Sequence, residues 1–231
     1  MKGFERMSIY GIDMGHTLSG TGTGAVGVAK ETDKNREVGK RLIAMLKEKG
    51  HTVVNCTVDK SNNDLADRVR LANAQRLDLF ISIHLNAFNG SADGIETYIY
   101  NGSYNGKDSN KSMAKRINDE VAQSVGFRNR GVKEDNFYVL RETVAPAVLI
   151  ELGFCDSKVD MNKWNTEKIA AAMFKGITGT SYVSSTPSQP TASNKGFRVI
   201  CGTYSNRENA VAQQNILKTA GFDSFLVAVD L

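Results

Sequence analysis

The chain has 231 residues, 41% hydrophobic and 23% charged, and a net charge of +4. That length allows one good-sized core and a small second unit, no apolar run is long enough to span a membrane, and the mild, scattered positive charge makes no case for nucleic acid. The three cysteines, Cys56, Cys155 and Cys201, are odd in number and contain no CxxC pair, so they read as buried free thiols and not as a disulfide framework or zinc ribbon. The first residues, Met1 to Ser8, show no apolar segment followed by a small-residue cleavage site, so no secretory signal is expected and synthesis in a cytosol is.

In chain order, Ser8 to Asp13 reads as a first strand, followed by a glycine- and threonine-rich loop from Thr17 to Thr32. A helix is expected from about Asp33, where Val38, Leu42, Met45 and Leu46 share one face; Gly50 closes it, and Thr52 to Cys56 reads as a strand. Asn63 or Asp64 can cap a helix carrying Leu65, Val69, Ala72 and Leu77. Leu79, Phe80, Ile81 and Ile83 then form a buried strand that runs out into His84 and Asn86. Gly94 to Tyr100 alternates like a strand nearer the sheet edge, and Lys111 to Ser124 is helical. Phe137–Leu140 and Ala147–Leu152 read as strands flanking Pro146, and a last helix runs from about Trp164 to Ile177. Alternating strands and helices predict an α/β fold: a mostly parallel twisted sheet with helices on both faces.

A break in composition follows. Residues 184–195 hold Pro187 and Pro190 among serines and threonines with no large apolar side chain, which is the character of a linker between a domain of residues 1–183 and a unit of residues 196–231. That unit reads as a small βαβ: a strand from Phe197, a helix that Asn206 can cap through Ala220, and a strand over Phe225–Val229. At about 36 residues it falls under the roughly 40 at which a lone core becomes viable, so a unit that is cut short, or completed by another chain, is the expectation.

Three strands thus end in chemistry-bearing side chains. The first runs into His16, the central one into His84 and the last into Glu151. Ligands in open α/β sheets bind outside the carboxyl ends of the strands. Catalytic zinc takes about three protein ligands and leaves a position open, which makes His16 and His84 the natural pair. Glu31, after the glycine-rich loop and before the first helix, is the preferred third ligand, and Asp33 is the fallback, although it can equally serve as a helix cap. His51 follows Gly50 and is expected at the surface. A carboxylate after four apolar residues is costly to bury unless it is used or paired, so Glu151 reads as an acid/base or as half of a buried salt bridge. Asn86 can orient the site, touch substrate or cap a loop.

The loop also contains Gly22-Thr-Gly24-Ala-Val-Gly27, which fits the dinucleotide fingerprint G-x-G-x-x-G. That motif must follow its strand at once and open a helix directly. Here His16 and several loop residues intervene, and Glu31 would repel a phosphate at the helix entrance. The fingerprint is rejected.

Ile12-Asp-Met-Gly-His16, Glu31 with Asn35, Ser82-Ile-His84-Leu-Asn86-Ala and Pro146-Ala-Val-Leu-Ile-Glu151-Leu-Gly-Phe154 together resemble the zinc-dependent N-acetylmuramoyl-L-alanine amidases of the amidase-3 group, over residues 7 to 182. The resemblance implies Zn2+ on His16, Glu31 and His84, Glu151 as the catalytic acid/base, and bacterial peptidoglycan as the partner, cut between N-acetylmuramic acid and L-alanine. Met14 and Thr17 depart from the family's usual proline and glycine, which bears on loop shape more than on chemistry. The tail from Phe197 is similar to the first half of a SPOR-type peptidoglycan-binding repeat. A chain of this kind suits a phage endolysin that reaches the wall through a membrane lesion, or an autolysin released by mother-cell lysis. Two other readings are a non-catalytic peptidoglycan-binding protein and a zinc carboxypeptidase, for which Arg128, Arg130 and Arg141 offer partners to a substrate carboxylate.

Overall fold

Side-chain alternation along the central strand sorts the core into two layers. The computed structural model describes residues 7–184, 202–219 and 226. In strand β3 (Leu79–Asn86), Leu79, Ile81, Ile83 and Leu85 join one buried cluster, while Phe80 joins another. That period of two is expected of a strand buried on both faces. Around β3 the sheet comprises β1 (Ile9–Met14), β2 (Thr52–Asn55), β4 (Ile95–Tyr100), β5 (Asn129–Asp135) and β6 (Ala147–Phe154), in the order β2-β1-β3-β6-β4-β5. Every pairing is parallel except β4 with β6.

Helices α1 (Glu31–Glu48), α3 (Lys107–Val125) and α6 (Thr166–Thr178) supply Val38, Leu42, Ile117, Val121, Met173 and Phe174 to the first cluster. Helices α2 (Asp64–Asn73) and α4 (Tyr138–Glu142) supply Val69, Ala72, Val139 and Leu140 to the second. A short α5 (Lys158–Lys163) follows β6. The expected α/β sheet with helices on both faces is therefore present.

Some local expectations are corrected. Phe137–Leu140 belongs to a helical turn, with the amides of Leu140 and Arg141 donating to the carbonyl of Phe137, because a four-residue apolar run does not by itself discriminate strand from helix. Strand β4 does lie next to one edge of the sheet, but the edge strand beyond it, β5, has no counterpart in the expected elements, because its Asn-Arg-Gly-Val-Lys-Glu-Asp carries no apolar periodicity. Helix α1 begins at Glu31, two residues earlier than expected, and Asn63 occupies the α2 cap position without a side-chain bond. His51 is 7% exposed, packed edge-on against Tyr10 and beside Phe174 from α6, and its Nδ1 accepts from the Ser8 amide.

Contacts divide the chain into two units, Met1–Thr186 and Pro187–Leu231. In the second, helix α7 (Arg207–Thr219) is described, and the Asn206 side chain caps it by accepting from the Glu208 amide at 2.7 Å. Apart from Gly202 and Leu226, the two strands expected to flank it lie outside the described residues, as does the linker beyond Ser184. Among the described residues no helix is long and apolar enough to cross a membrane.

Candidate metal and hydrolytic centre

His16, Glu31 and His84 meet at the carboxyl edge of the sheet. Glu31 Oε1 lies 3.0 Å from His16 Nε2 and 3.0 Å from His84 Nδ1. One donor atom from each residue falls within 4.8 Å of the others. The two rings sit edge to face, with centroids 4.7 Å apart. Asp33, the fallback ligand, is exposed on the outer side of α1 and outside this group.

Each member is fixed by neighbouring backbone. The Leu85 amide donates to Glu31 Oε1 at 3.1 Å, and the Ala25 amide donates to Oε2 at 2.9 Å. Burial opposes ionisation of Glu31, but the two imidazoles outweigh it and hold the carboxyl well below its usual range. Burial likewise works against a charged His16, yet Glu31 and the Gly22 carbonyl prevail and raise its pKa. Two glycines let backbone approach the cluster: a Cβ on Gly15 would lie 2.1 Å from His84 Nε2, and one on Gly24 would lie 2.8 Å from Glu31 Oε2. The glycine-rich loop that imitates a dinucleotide fingerprint thus has a steric task at these side chains.

His16 is held in a left-handed conformation, φ 65°. Such a backbone costs a non-glycine residue about 1–2 kcal/mol, so something must hold it. Arg36 of α1 donates to the carbonyls of Met14 (2.8 Å), Gly15 (2.5 Å) and His16 (2.6 Å). Arg68 of α2 reaches the carbonyls of Met14 and His16 as well, and forms a buried ion pair with Asp13, whose other oxygen accepts from Ser82. Neither arginine had a local signal in the sequence; both sit in ordinary amphipathic helices. Met14 is buried, its thioether against Gly39, and the Thr17 hydroxyl bonds the Thr21 carbonyl, so these two departures from the family pattern are absorbed locally.

Glu151 is the direct neighbour of His84 in the β3–β6 ladder. Its Oε2 is buried and has no hydrogen-bond partner among the described residues. Burial, then the charges of Glu31 and Glu96, push its pKa well above the usual carboxylate range. The salt-bridge alternative fails here, because no cation pairs with Glu151 among the described residues. A partly buried glutamate with one buried, unpartnered carboxyl oxygen is suited to accepting and returning a proton. Two imidazole nitrogens and a carboxylate oxygen, with a further carboxyl alongside, are a donor set that fits a zinc-like ion.

Glu96 escaped the sequence reading because a charged residue in an alternating strand reads as solvent-facing. It is buried instead, opposite Glu151 in the β4–β6 pair. Asn86 donates to it at 2.8 Å, which gives that residue an anchoring role.

An α/β sheet that brings two histidines and two glutamates to one carboxyl edge gathers the metal-ligating and acid/base groups that a metal-dependent hydrolase needs. The chain belongs to the N-acetylmuramoyl-L-alanine amidase family, whose model matches residues 11–180. Among relatives, the sporulation-specific N-acetylmuramoyl-L-alanine amidase of Bacillus subtilis (strain 168) is 31% identical over 221 residues, covering 95% of this chain and 84% of that protein. An uncharacterized protein of the same organism, YqiI, is 39% identical over 178 residues, 75% of this chain and 84% of its own length. Among solved structures, the catalytic domain of the CD27L endolysin targeting Clostridia Difficile is similar with a TM-score of 0.67 and 31% identity, covering 75% of this chain and 98% of that one.

Proposed function

We propose that this chain hydrolyses the amide between the lactyl group of N-acetylmuramic acid and L-alanine in peptidoglycan, using zinc held by His16, Glu31 and His84. The observation that carries this reading is the convergence of both imidazoles on Glu31 at 3.0 Å, with the unpartnered carboxyl of Glu151 on the adjacent strand. A bound zinc supplies Lewis acidity toward a carbonyl oxygen and toward water. Glu151 takes the proton of the attacking water at Oε2 and delivers it to the nitrogen of the departing L-alanine; the carbon–nitrogen bond breaks, leaving a lactyl carboxylate and a free amine. Burial first, then the neighbouring charge of Glu96, favours the protonated form of Glu151 between these steps.

Digestion of purified peptidoglycan tests this. New L-alanine amino termini are expected, abolished by chelation and by His84→Ala. Glu151→Gln is expected to keep the metal and lose about a hundredfold or more in rate. Full activity in that variant with metal bound refutes the acid/base role. Release of stem-terminal residues alone indicates a carboxypeptidase, and wall pelleting without new amines indicates a binding module.

The biological setting follows the same reading: wall lysis by a phage endolysin or a mother-cell autolysin, acting after release from the cytoplasm. The names of the relatives, a sporulation-specific amidase and an endolysin domain, support it. Residues 196–231 are proposed as a SPOR-like wall-binding unit. Support comes from the 95% coverage by the sporulation amidase alignment, which carries it past residue 186 into the second unit.

A further inference from the structure

The row of ionisable residues at the carboxyl edge of the sheet does not stop at Glu151. His84 on β3 pairs with Glu151 on β6, which in turn pairs with Glu96 on β4. Directly opposed residues share a face, so the three lie side by side. Between β4 and β5 the ladder is irregular: Ile95 pairs with Asn129, and Thr97 with Val132. Arg130 falls in that interval, and its Nε donates to Glu96 Oε2 at 2.6 Å, extending the row to a fourth strand. At about 4.8 Å between strands, the backbone of Arg130 lies about 10 Å from that of Glu151.

Lys133 donates to the same Glu96 oxygen at 2.6 Å, while Oε1 takes the Tyr98 hydroxyl at 2.7 Å and Asn86 at 2.8 Å. One buried carboxylate, 3% exposed, therefore faces two cations and has its lone pairs occupied. Both cations are partly open to solvent, with side-chain exposures of 27% for Arg130 and 39% for Lys133. They are also fixed in place: the Arg130 guanidinium lies over the Phe154 ring, and the Lys133 ammonium over Tyr98. Arg130 gives one further bond, from Nη1 to the Asp93 carbonyl. A guanidinium has five N–H donors and an ammonium three, so both retain donors beyond these bonds. The other acids nearby are engaged elsewhere, Asp93 with Arg128 and Glu134 with Lys107 and Lys111.

We propose that Arg130 and Lys133 form an anion subsite that takes a carboxylate of the stem peptide beyond the scissile bond. This rests on the amidase reading. An extended peptide advances about 3.3–3.6 Å per residue, so about 10 Å from Glu151 corresponds to a carboxylate on the second or third stem residue. Glu96 holds the two cations and leaves one net positive charge for substrate. The wall polymer is thereby gripped on the peptide side of the cut, and the state of its carboxyls sets how well it is cut.

The test uses the full chain and two soluble muropeptides, one with free carboxyls on the second and third stem residues and one with both amidated. The wild-type chain is expected to prefer the free-carboxyl substrate by about tenfold in kcat/KM, as a charge-assisted contact would give. Arg130→Gln and Lys133→Gln, each leaving Glu96 one cation, are expected to lower the ratio of kcat/KM for the free-carboxyl over the amidated substrate severalfold, the selective loss falling on KM. Should Arg130→Gln fail to fold, Lys133→Gln decides alone. Equal cleavage of the two substrates by the wild type overturns the subsite, and so do variants that lose equally on both or lose kcat instead of KM. If neither substrate yields a new L-alanine amine with the wild type, the amidase reading itself falls.

Discussion

Nη2 of Arg36 lies 2.6 Å from the carbonyl oxygen of His16, the one non-glycine residue with a left-handed backbone among those described. The same helix carries Glu31, so one rigid element supplies a proposed ligand and restrains the turn that presents another. Arg36→Gln is expected to weaken zinc binding about tenfold or more, measured by chelator competition, since outer-shell partners of ligands commonly have effects of that size. In a His16→Ala background the same substitution should add almost nothing. Equal losses in both backgrounds would assign Arg36 to general folding.

Gly15 and Gly24 are restricted for a different reason. A methyl group on Gly15 would meet the His84 ring at 2.1 Å, and that ring is tied to Glu31 and cannot swing away freely. Gly15→Ala should give a folded protein by circular dichroism with zinc affinity lowered more than about tenfold, overpacking against a fixed side chain being costly. Gly24→Ala should act in the same direction through Glu31, and more mildly, because its contact is 2.8 Å. Wild-type affinity in Gly15→Ala would show that the ring is free to shift.

Glu96 links stability to pH. Burial opposes its ionisation, but Arg130, Lys133, Tyr98 and Asn86 together hold its pKa down to about 2. A depressed carboxyl stabilises the fold at pH values above its unfolded pKa, near 4.5, and that contribution is lost as pH falls toward about 2. Glu96→Gln should therefore cost about 2 kcal/mol in urea unfolding at pH 7, a value reduced for the solvent exposure of both cations. The gap between wild type and variant should narrow progressively at pH 4 and pH 3. A gap independent of pH would mean that shape, and not charge, holds the cluster.

The two described thiols should be inert. Cys56 and Cys155 are free and fully buried, and burial pushes their pKa values up to about 12 and about 11. In a Cys201→Ser background, neither should react with a disulfide reagent at pH 8 until denaturant is added. Rapid labelling of the native protein would require an opening at β2 or at the end of β6.

Residues whose burial and spacing are local were legible in the chain alone. His16, His84 and Glu151 each follow an apolar run, and a strand's carboxyl end is where such a side chain is exposed to ligand. Glu31 was reachable because its loop must return to the same edge. What stayed hidden depends on partners distant in sequence. Arg36 and Arg68 sit in helices whose polar positions look solvated until the Met14–His16 carbonyls are placed beside them. The buried state of Glu96 depends on β5, a strand with no hydrophobic pattern of its own, and the burial of His51 depends on α6, more than a hundred residues downstream. The run Phe137–Leu140, which leads into helix α4, reads as a strand because four apolar residues suit either period.

The close approach of Gly15 and Gly24 to the cluster has a consequence for what the protein can digest. Where many hydrolases wall their centres with side chains, this one is bordered by bare main chain, and the His16 and His84 side chains keep 30% and 17% of their surface open. A cross-linked wall is an insoluble lattice that cannot be drawn into a deep chamber. On the proposed reading, the exposed parts of these two imidazoles are what such a lattice would meet from outside.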